Sequence, residues 1–544
     1  MEEKKPYLYL NAFLVKDEFT ARQPIEFLKP SAQVNAYELE GKHELDGKLY
    51  IKVPDEKKPK WSTFAESLTG TSLEELSNRS SSAVLIIKTN NSTMAFTFGY
   101  GRFLIDTQYF APDFGIKTAL NTLNHDSLRS VDLFTLDDQA VQKKSQASRE
   151  SGVGVFGIDI SKDVLRAVTG SPKTGVDFHT ISGGDSVYSF STDLEIERLP
   201  ELVDRLSDYY NNDSYKNEFS WVDNIRKVKE KSEIDFLDEK LLEKIKAKSP
   251  NITITLPEIV QWDSIWGFSF TRTKGTIKPI VDTQEYLDNI DVSSTTIESI
   301  KRDRIFVFDI DGNESDYQIY KCIYFEHKAS SKTCILFSGI WYEIDNSFIS
   351  RINMTLNLIK PSSLSFPKIH TWTEVKDGKS KSMIETEGEY NERASKDFQY
   401  HLLDKKLVKT NRATTPIELC DLMTNHNQLI HVKHRKGGSA GLSHLFAQGN
   451  ISAEIMLGDI EFRKEARKVL KQVHNGLQDS VPLNNFKSDD MEIVFLILGE
   501  DTVSLKENLP FFSKVNLSKT FENLSQRGFS VTIAGAGTEP KPST

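Results

Sequence analysis

Cysteine is almost missing from this chain: Cys322, Cys334 and Cys420 are the only three in 544 residues. They share neither the spacing of a metal-ligand set nor that of a disulfide framework, so the expected compartment is a reducing cytoplasm. Long apolar runs are missing too. The longest, such as 493–498, are strand-sized and far short of the ~20 residues needed to span a bilayer, so no membrane span is expected. The opening MEEKKPYLYLNAFLV has no apolar stretch long enough for a signal peptide. Positive charge is not in excess either. A net charge of −10 argues against a chain coated throughout by nucleic acid, though not against a local basic groove.

What is present reads as an ordinary folded protein, with 38% hydrophobic and 27% charged residues. At domains of about 100–200 residues, the length predicts two to four. The expected class is α/β (α+β) and multidomain. Residues 1–230 read as an α/β domain. It has a strand at 7–15, a hairpin of 83–89 and 94–99 around Asn90-Asn91-Ser92, a short helix at 162–169 opened by Ser161, and a longer helix at 197–211. The charged stretch 224–246 reads as a surface helix or connector. Residues 231–381 then continue as a connector and an antiparallel meander (304–310, 317–326, 333–338, 340–344), followed by a helix at 346–359 capped by Asn346. Prolines, serines and a Lys-Asp-Gly-Lys turn in 360–381 mark a boundary. Residues 382–544 form the last domain, with a tail, TEPKPST, expected to be disordered.

Three motifs are decoys. Gly152-Val-Gly154-Val-Phe-Gly157 matches the dinucleotide fingerprint by letter but follows the polar QKKSQASRES, so no phosphate cradle is implied. Asp309-Ile-Asp311-Gly312 begins like a calcium loop but lacks the distal glutamate, and a hairpin turn is the better reading. Glu326-His327-Lys328 is a Glu-x-Lys on a strand whose default is surface alternation. The segment Phe96-Thr-Phe-Gly-Tyr-Gly-Arg102-Phe103 could stack bases with its aromatics and approach a phosphate with Arg102, although aromatics more often fill a core.

The richest region is 387–456. A helix at 387–398 leads to strands at 400–403, 417–423 and 429–434, the loop RKGGSAG, and a helix at 442–456. Asp421 and Lys433 are separated by a strand, the turn 424–427 and a second strand, so their side chains can meet across an antiparallel pair. His431 and Lys433 share a strand face, and His444 and Gln448 share a helix face. Carboxylates suit Mg²⁺ or Mn²⁺, and a lysine can stabilise charge developing at phosphorus. Five of the eleven histidines, His401, His426, His431, His434 and His444, fall within 44 residues. Between Leu429 and Lys471 there are eight Lys or Arg against four acids, the composition expected for phosphate contacts. Lys433, Arg435, Lys436, Arg463, Lys464, Arg467 and Lys468 are the candidate nucleic-acid contacts.

This pattern resembles the PD-(D/E)XK nuclease superfamily. The resemblance implies a restriction-endonuclease-like mixed sheet flanked by helices. Glu389 would be the helix acid, Asp421 the strand acid, Lys433 the lysine and Gln448 the helix glutamine. The acid of (Asp/Glu)-x-Lys is replaced by His431, a poor ligand for Mg²⁺. Glu418 could supply the missing charge only across a bulge, because strand alternation puts it opposite Asp421. The segments SSSAVLIIKTN, FTFGYGRFLID, DFGIKTALNTL, GIDISKDVLRAVTG, GIWYEID, IELCDLMT, LIHVKH, LSHLFAQGNISAE and LPFFSKVNL also resemble a sporadically distributed prokaryotic family of unknown function. That resemblance implies a bacterial protein of a mobile or defence-associated locus.

The expectation is therefore a cytoplasmic defence-type protein acting on DNA or RNA. Asp421, Glu389 and His431 would hold Mg²⁺ or Mn²⁺, Lys433 would stabilise charge, and Gln448 and His444 would orient water or the lysine. The alternative is a degenerate nuclease fold that binds nucleic acid or a protein partner. A homo-oligomer or a partner protein of a defence system stays open.

Overall fold

A computed structural model describes residues 8–542 apart from 42–44, 60, 78, 136–140, 194, 250, 255, 257–264, 272–276, 279–280, 310–313, 330–331, 377–378, 410–415 and 436–437. The chain divides into two compact units, one built from residues 1–135 and 142–223 and the other mainly from Asn224 onward. Both mix helices and sheets, as expected of an α/β class. Among the described residues, no helix is long and apolar enough to cross a membrane.

The first unit is built on a ten-stranded sheet. Its strands in chain order are β1 (Leu8–Leu14), β2 (Asn35–Glu38), β3 (Asp46–Lys52), β4 (Ser82–Lys88), β5 (Thr93–Gly99), β6 (Leu123–Thr135), β7 (Val141–Ser151), β8 (Asp163–Pro172), β9 (Ile181–Gly184) and β10 (Val187–Thr192). They pair in the order β2-β3-β4-β5-β1-β10-β9-β8-β6-β7. Leu10, Ala12, Met94, Phe96, Tyr188 and Phe190 alternate onto one face. There they pack with buried residues of α1 (Phe114–Thr122) and α2 (Leu199–Asn211). The hairpin at 83–99 forms as expected. The helix expected at 162–169 does not: those residues are β8. Val164, Val168 and Thr169 are β-branched, and Val164, Leu165 and Val168 are buried in register against β6. The dinucleotide decoy opens only a one-turn 3-10 segment, Val153–Phe156.

In the second unit, β11 (Ile323–Lys328), β12 (Thr333–Phe337) and β13 (Ile340–Ile344) form the antiparallel meander. The turn 310–313 lies outside the described residues, but Arg304–Asp309 and Glu314–Gln318 pair antiparallel around it. The next helix, α3 (Asn346–Leu358), is capped by Asp345 rather than Asn346, since the Asp345 carboxylate accepts from the backbone of Ser347 and Phe348. The charged stretch is less superficial than expected. Helix Lys231–Lys246 buries Leu237, Leu241 and Ile245.

The C-terminal sheet is mixed. It comprises β14 (Lys360–Pro361), β15 (His401–Leu402), β16 (Leu422–Met423), β17 (Gln428–His434), β18 (Glu492–Leu498) and β19 (Ser530–Ala536), in the order β14-β19-β18-β17-β16-β15. The β14-β19, β19-β18 and β18-β17 pairs are parallel; β17-β16 and β16-β15 are antiparallel. β18 reads EIVFLIL and is buried at six of seven positions, as a strand covered on both faces requires. Helix α4 (Glu387–Phe398) covers one face through Tyr390 and Ala394. Helix α5 (Gly438–Gly458) packs on β17 and β18, and α6 (Ile460–Val473) and α7 (Phe511–Gln526) follow. The expected boundary segment is part of this domain: β14 extends its sheet, and Ile369–Lys376 pairs with Lys379–Ile384. The start of the tail is not free of structure: Thr538–Pro540 adds a parallel strand to Ile369–Thr371, and residues 543–544 lie outside the described residues.

Candidate metal centre

Strand alternation fails at one place, and the site forms there. The expected strand 417–423 is two short pieces. Ile417–Glu418 pairs with Leu407–Val408, whereas β16 pairs with β17. Between them Leu419 and Cys420 are buried while the chain changes sheets. The change cancels the period of two, so Glu418 and Asp421 face one another. Asp404 joins them from the turn after β15, where Leu403 donates to the Asp421 carbonyl at 2.8 Å. One carboxylate oxygen from each of Asp404, Glu418 and Asp421 lies within 4.8 Å of the others.

These acids are poorly compensated. The Asp421 Oδ2 accepts from the backbone N–H of Val432 at 2.7 Å, and Glu418 accepts from the backbone of Lys405. Burial nevertheless pushes the Asp421 carboxyl up to about 7, with Glu418, Asp404 and Glu387 adding like-charge repulsion. Burial also raises Glu418, with Asp404 pushing further and Lys433 opposing. Lys433 stands at the carboxyl end of β17, where its Nζ bonds Glu387 at 2.8 Å. Glu387 also accepts from the backbone of His434 at 3.0 Å, tying the start of α4 to the end of β17. Glu387, Gly388, Asp404, Lys405 and His434 line one cleft of about 490 Å³.

Three hard anionic ligands at this spacing fit a divalent cation that prefers oxygen, and burial of acids without matching cations is the electrostatic condition such an ion relieves. Of the residues read from the sequence, Asp421 and Lys433 lie here. Glu389 does not. It is exposed and closes a capping box with Thr386 at 2.8 Å, so the helix acid near Lys433 is Glu387, two residues earlier. His431 does not reach the acids either. Its ring is 2% exposed, 6.0 Å from that of Phe495 directly opposite on β18, with Gly449 of α5 above it. Burial holds this histidine at about 4, hence neutral, and its Nε2 has no hydrogen-bond partner among the described residues. His444 is exposed and Gln448 half-buried on α5, and neither bonds an acid of the cluster among the described residues. Asp404 was not anticipated. Its signal was the polar Asp-Lys-Lys turn directly after a strand, visible only once that strand was paired with 422–423.

The chain belongs to the family of unknown function DUF6119. The family model matches residues 10–537, nearly the whole chain. No curated protein and no solved structure matches it. The reading of this DUF6119 chain therefore rests on its own geometry.

That geometry also corrects the basic segment. Arg463 is 7% exposed and donates to the carbonyls of Met456, Leu457 and Leu483 at 2.7–3.3 Å. Arg467 donates to Gln478, Val481 and Asp479. Arg435 pairs with Glu500 and donates to the Asn508 carbonyl. Lys464 and Lys468 pair with Glu461 and Glu465 one turn back on α6. Lys436 lies outside the described residues. The two buried-side arginines lash α6 to the loop 477–483; they do not form an open phosphate track.

Proposed function

We propose that the C-terminal domain hydrolyses phosphodiester bonds of nucleic acid with a divalent metal held by Asp404, Glu418 and Asp421. The observation that carries this reading is the convergence of three carboxylates beside a lysine on the neighbouring strand. Within one sheet, α4, β15, β16, β17, α5 and β18 follow in chain order, interrupted by the short pair Leu407–Val408/Ile417–Glu418 and by α6; without these insertions the order is that of the nuclease superfamily the sequence resembles, which adds support. The defence-type setting rests on sequence resemblance alone.

When bound, Mg²⁺ or Mn²⁺ would polarise a phosphoryl oxygen and lower the pKa of a water. The chain's own residues do the rest. Asp404, Glu418 and Asp421 supply the anionic cradle. Asp421 holds its proton until about pH 7 in the metal-free chain, so filling the site releases a proton and affinity rises with pH. Lys433 offers positive charge to the phosphoryl oxygens as negative charge develops, and Glu387 fixes its position. Isothermal titration of Mg²⁺ and Mn²⁺ into wild type and Asp421→Asn tests the cradle. Cleavage of single- and double-stranded DNA and RNA, with chelator as control, tests the reaction. Metal binding lost in Asp421→Asn and chelator-sensitive cleavage are the expected results.

A second reading, a binding module without chemistry, is favoured by His431, which fills the superfamily's acid position with a buried neutral ring. Absence of metal binding in the wild type would select it.

A further inference from the structure

The first unit carries a surface that the acid cluster does not use. Ser130, Thr169, Ser182, Ser189, Asn11 and Thr97 stand directly opposite one another across β6, β8, β9, β10, β1 and β5. They form one polar row across six strands, on the face opposite Leu10, Ala12 and Phe96. Neighbours in the row bond one another: Thr169 to Ser182 at 2.9 Å, and the Ser189 hydroxyl donates to the Asn11 side-chain Oδ1 at 2.6 Å.

At its β5 end the row meets the turn Gly99-Tyr100-Gly101. Gly99 has φ +56°, and a Cβ on Gly101 would lie 2.1 Å from the Ala83 carbonyl, so the tight turn requires both glycines. The turn throws out Tyr100 and Phe103, which are 58% and 54% exposed. Their rings stack with centroids 6.2 Å apart, and the Arg102 guanidinium lies 4.7 Å over Phe103. Among the described residues no carboxylate pairs with Arg102. Asn11, Thr97, Ser189, Tyr100 and Arg102 line a cleft of about 200 Å³. Tyr9, on the same strand face as Asn11, is 55% exposed.

Bonding within the row accounts for the hydroxyls, since Thr169 meets Ser182, Ser189 meets Asn11, and Thr97 and Ser189 are buried beneath the cleft. That does not account for exposed stacked rings, a guanidinium with no carboxylate partner among the described residues and an amide-lined slot at one corner. We propose that this corner binds a nucleobase together with its phosphate, as a free nucleotide or within a single strand. Tyr100 and Phe103 stack the base, Asn11 and Ser189 meet polar edges of base or sugar, and Arg102 pairs the phosphate. With one or two cations nearby, Arg102 and Lys29 (whose Nζ bonds the Phe103 carbonyl at 2.9 Å), binding is driven by stacking and only weakly dependent on salt.

The test uses the full chain in chelator, so that the acid cluster holds no metal and its failure stays separable from failure here. The probes are labelled twelve-residue oligo-deoxythymidylate and oligo-uridylate, followed by anisotropy, and the four ribonucleoside monophosphates, followed by calorimetry. Tyr100→Ala and Phe103→Ala should each weaken binding about 5- to 150-fold, the stacking worth of one base, while Tyr100→Phe retains it. Arg102→Gln should lower the salt slope by about 0.7. Monophosphates that bind with the same variant pattern identify the free nucleotide as ligand; binding by oligomers alone identifies a strand. No binding of any probe to wild type overturns the proposal. So does undiminished binding by the Tyr100→Ala/Phe103→Ala double variant, or oligomer binding lost only in Lys433→Ala. Self-association abolished by Tyr100→Ala without nucleic-acid binding would make the patch a protein-docking surface instead.

Discussion

The acid cluster and helix α6 are both dense in charge, and the protein treats them in opposite ways. Along α6 each named cation has a partner. Arg463 and Arg467 reach backbone carbonyls, and Lys464 and Lys468 reach glutamates one turn away. At Asp404, Glu418 and Asp421, like charges face one another in a partly buried pocket, and Asp421 stays protonated to about pH 7. Charge that is locally satisfied serves cohesion. Charge assembled against its own repulsion stores free energy that an incoming cation releases, which is where functional sites concentrate perturbed groups. The segment richest in lysine and arginine is thus the weaker functional candidate, and the three acids scattered over 404–421 the stronger.

The comparison breaks first on activity. If the cluster is a metal-dependent hydrolytic site, Lys433→Ala should lower the rate by about 10²–10³ with little change in substrate binding, measured as kcat against KM. Lys464→Ala and Lys468→Ala should leave the rate unchanged. Equal rates in wild type, Lys433→Ala and Asp421→Asn would reduce the cluster to a structural curiosity.

A carboxylate placed two residues from Lys433 but under α5 should behave as a buried charge without a partner. His431→Glu is expected to cost about 3–5 kcal/mol by denaturant unfolding, not to restore a ligand. The native His431 works the same way in acid. Its folded-state value of about 4 lies below the ordinary 6.5, so the unfolded chain takes up the proton first, and stability is lost as pH falls from about 6.5 toward 4.

Asp421 has the reverse sign. Its carboxyl is raised from 3.8 to about 7, so the folded metal-free chain binds the proton more tightly than the unfolded one. Stability therefore falls as pH rises from about 4 to 7, and the full penalty remains above 7. Asp421→Asn should stabilise the metal-free protein at pH 8 by roughly 1–4 kcal/mol while abolishing metal binding. A destabilised Asp421→Asn in thermal unfolding would mean that the carboxylate is a structural group like Arg463.

The smallest effects belong to α6. Arg463→Ala strands buried carbonyls and should cost about 1–3 kcal/mol. Lys464→Ala and Lys468→Ala, exposed pairs, should stay within about 0.5 kcal/mol in the same unfolding experiment.

Much of this arrangement is legible along the chain. Helix Glu387–Phe398 has the bounds expected from the sequence, and the Thr386/Glu389 capping box that starts it is a local feature. That same box explains why Glu389 is unavailable: a carboxylate that closes a cap cannot also face the strands. The alternation of Leu429–His434 located β17, and Asp421 and Lys433 were placed near one another through a single turn. Surface alternation does not describe Glu326: its carboxylate accepts from the Phe511 backbone at 2.7 and 2.9 Å, capping α7 from 185 residues away. Arg463 and Arg467 look like open charge along the chain because their carbonyl partners lie up to 20 residues away, across a loop.

The sequence by itself determined most of the elements around the site and the residue types available to them, because capping, side-chain periodicity and turn chemistry act within a few residues. Only the tertiary structure decided which charges stand alone. Asp404, Glu418 and Asp421 converge because the chain changes sheets at Leu419-Cys420, and His431 is excluded because β18 and α5 close over it. Electrostatic energy depends on distance and burial rather than on order along the chain, so neither outcome can be read from local pattern.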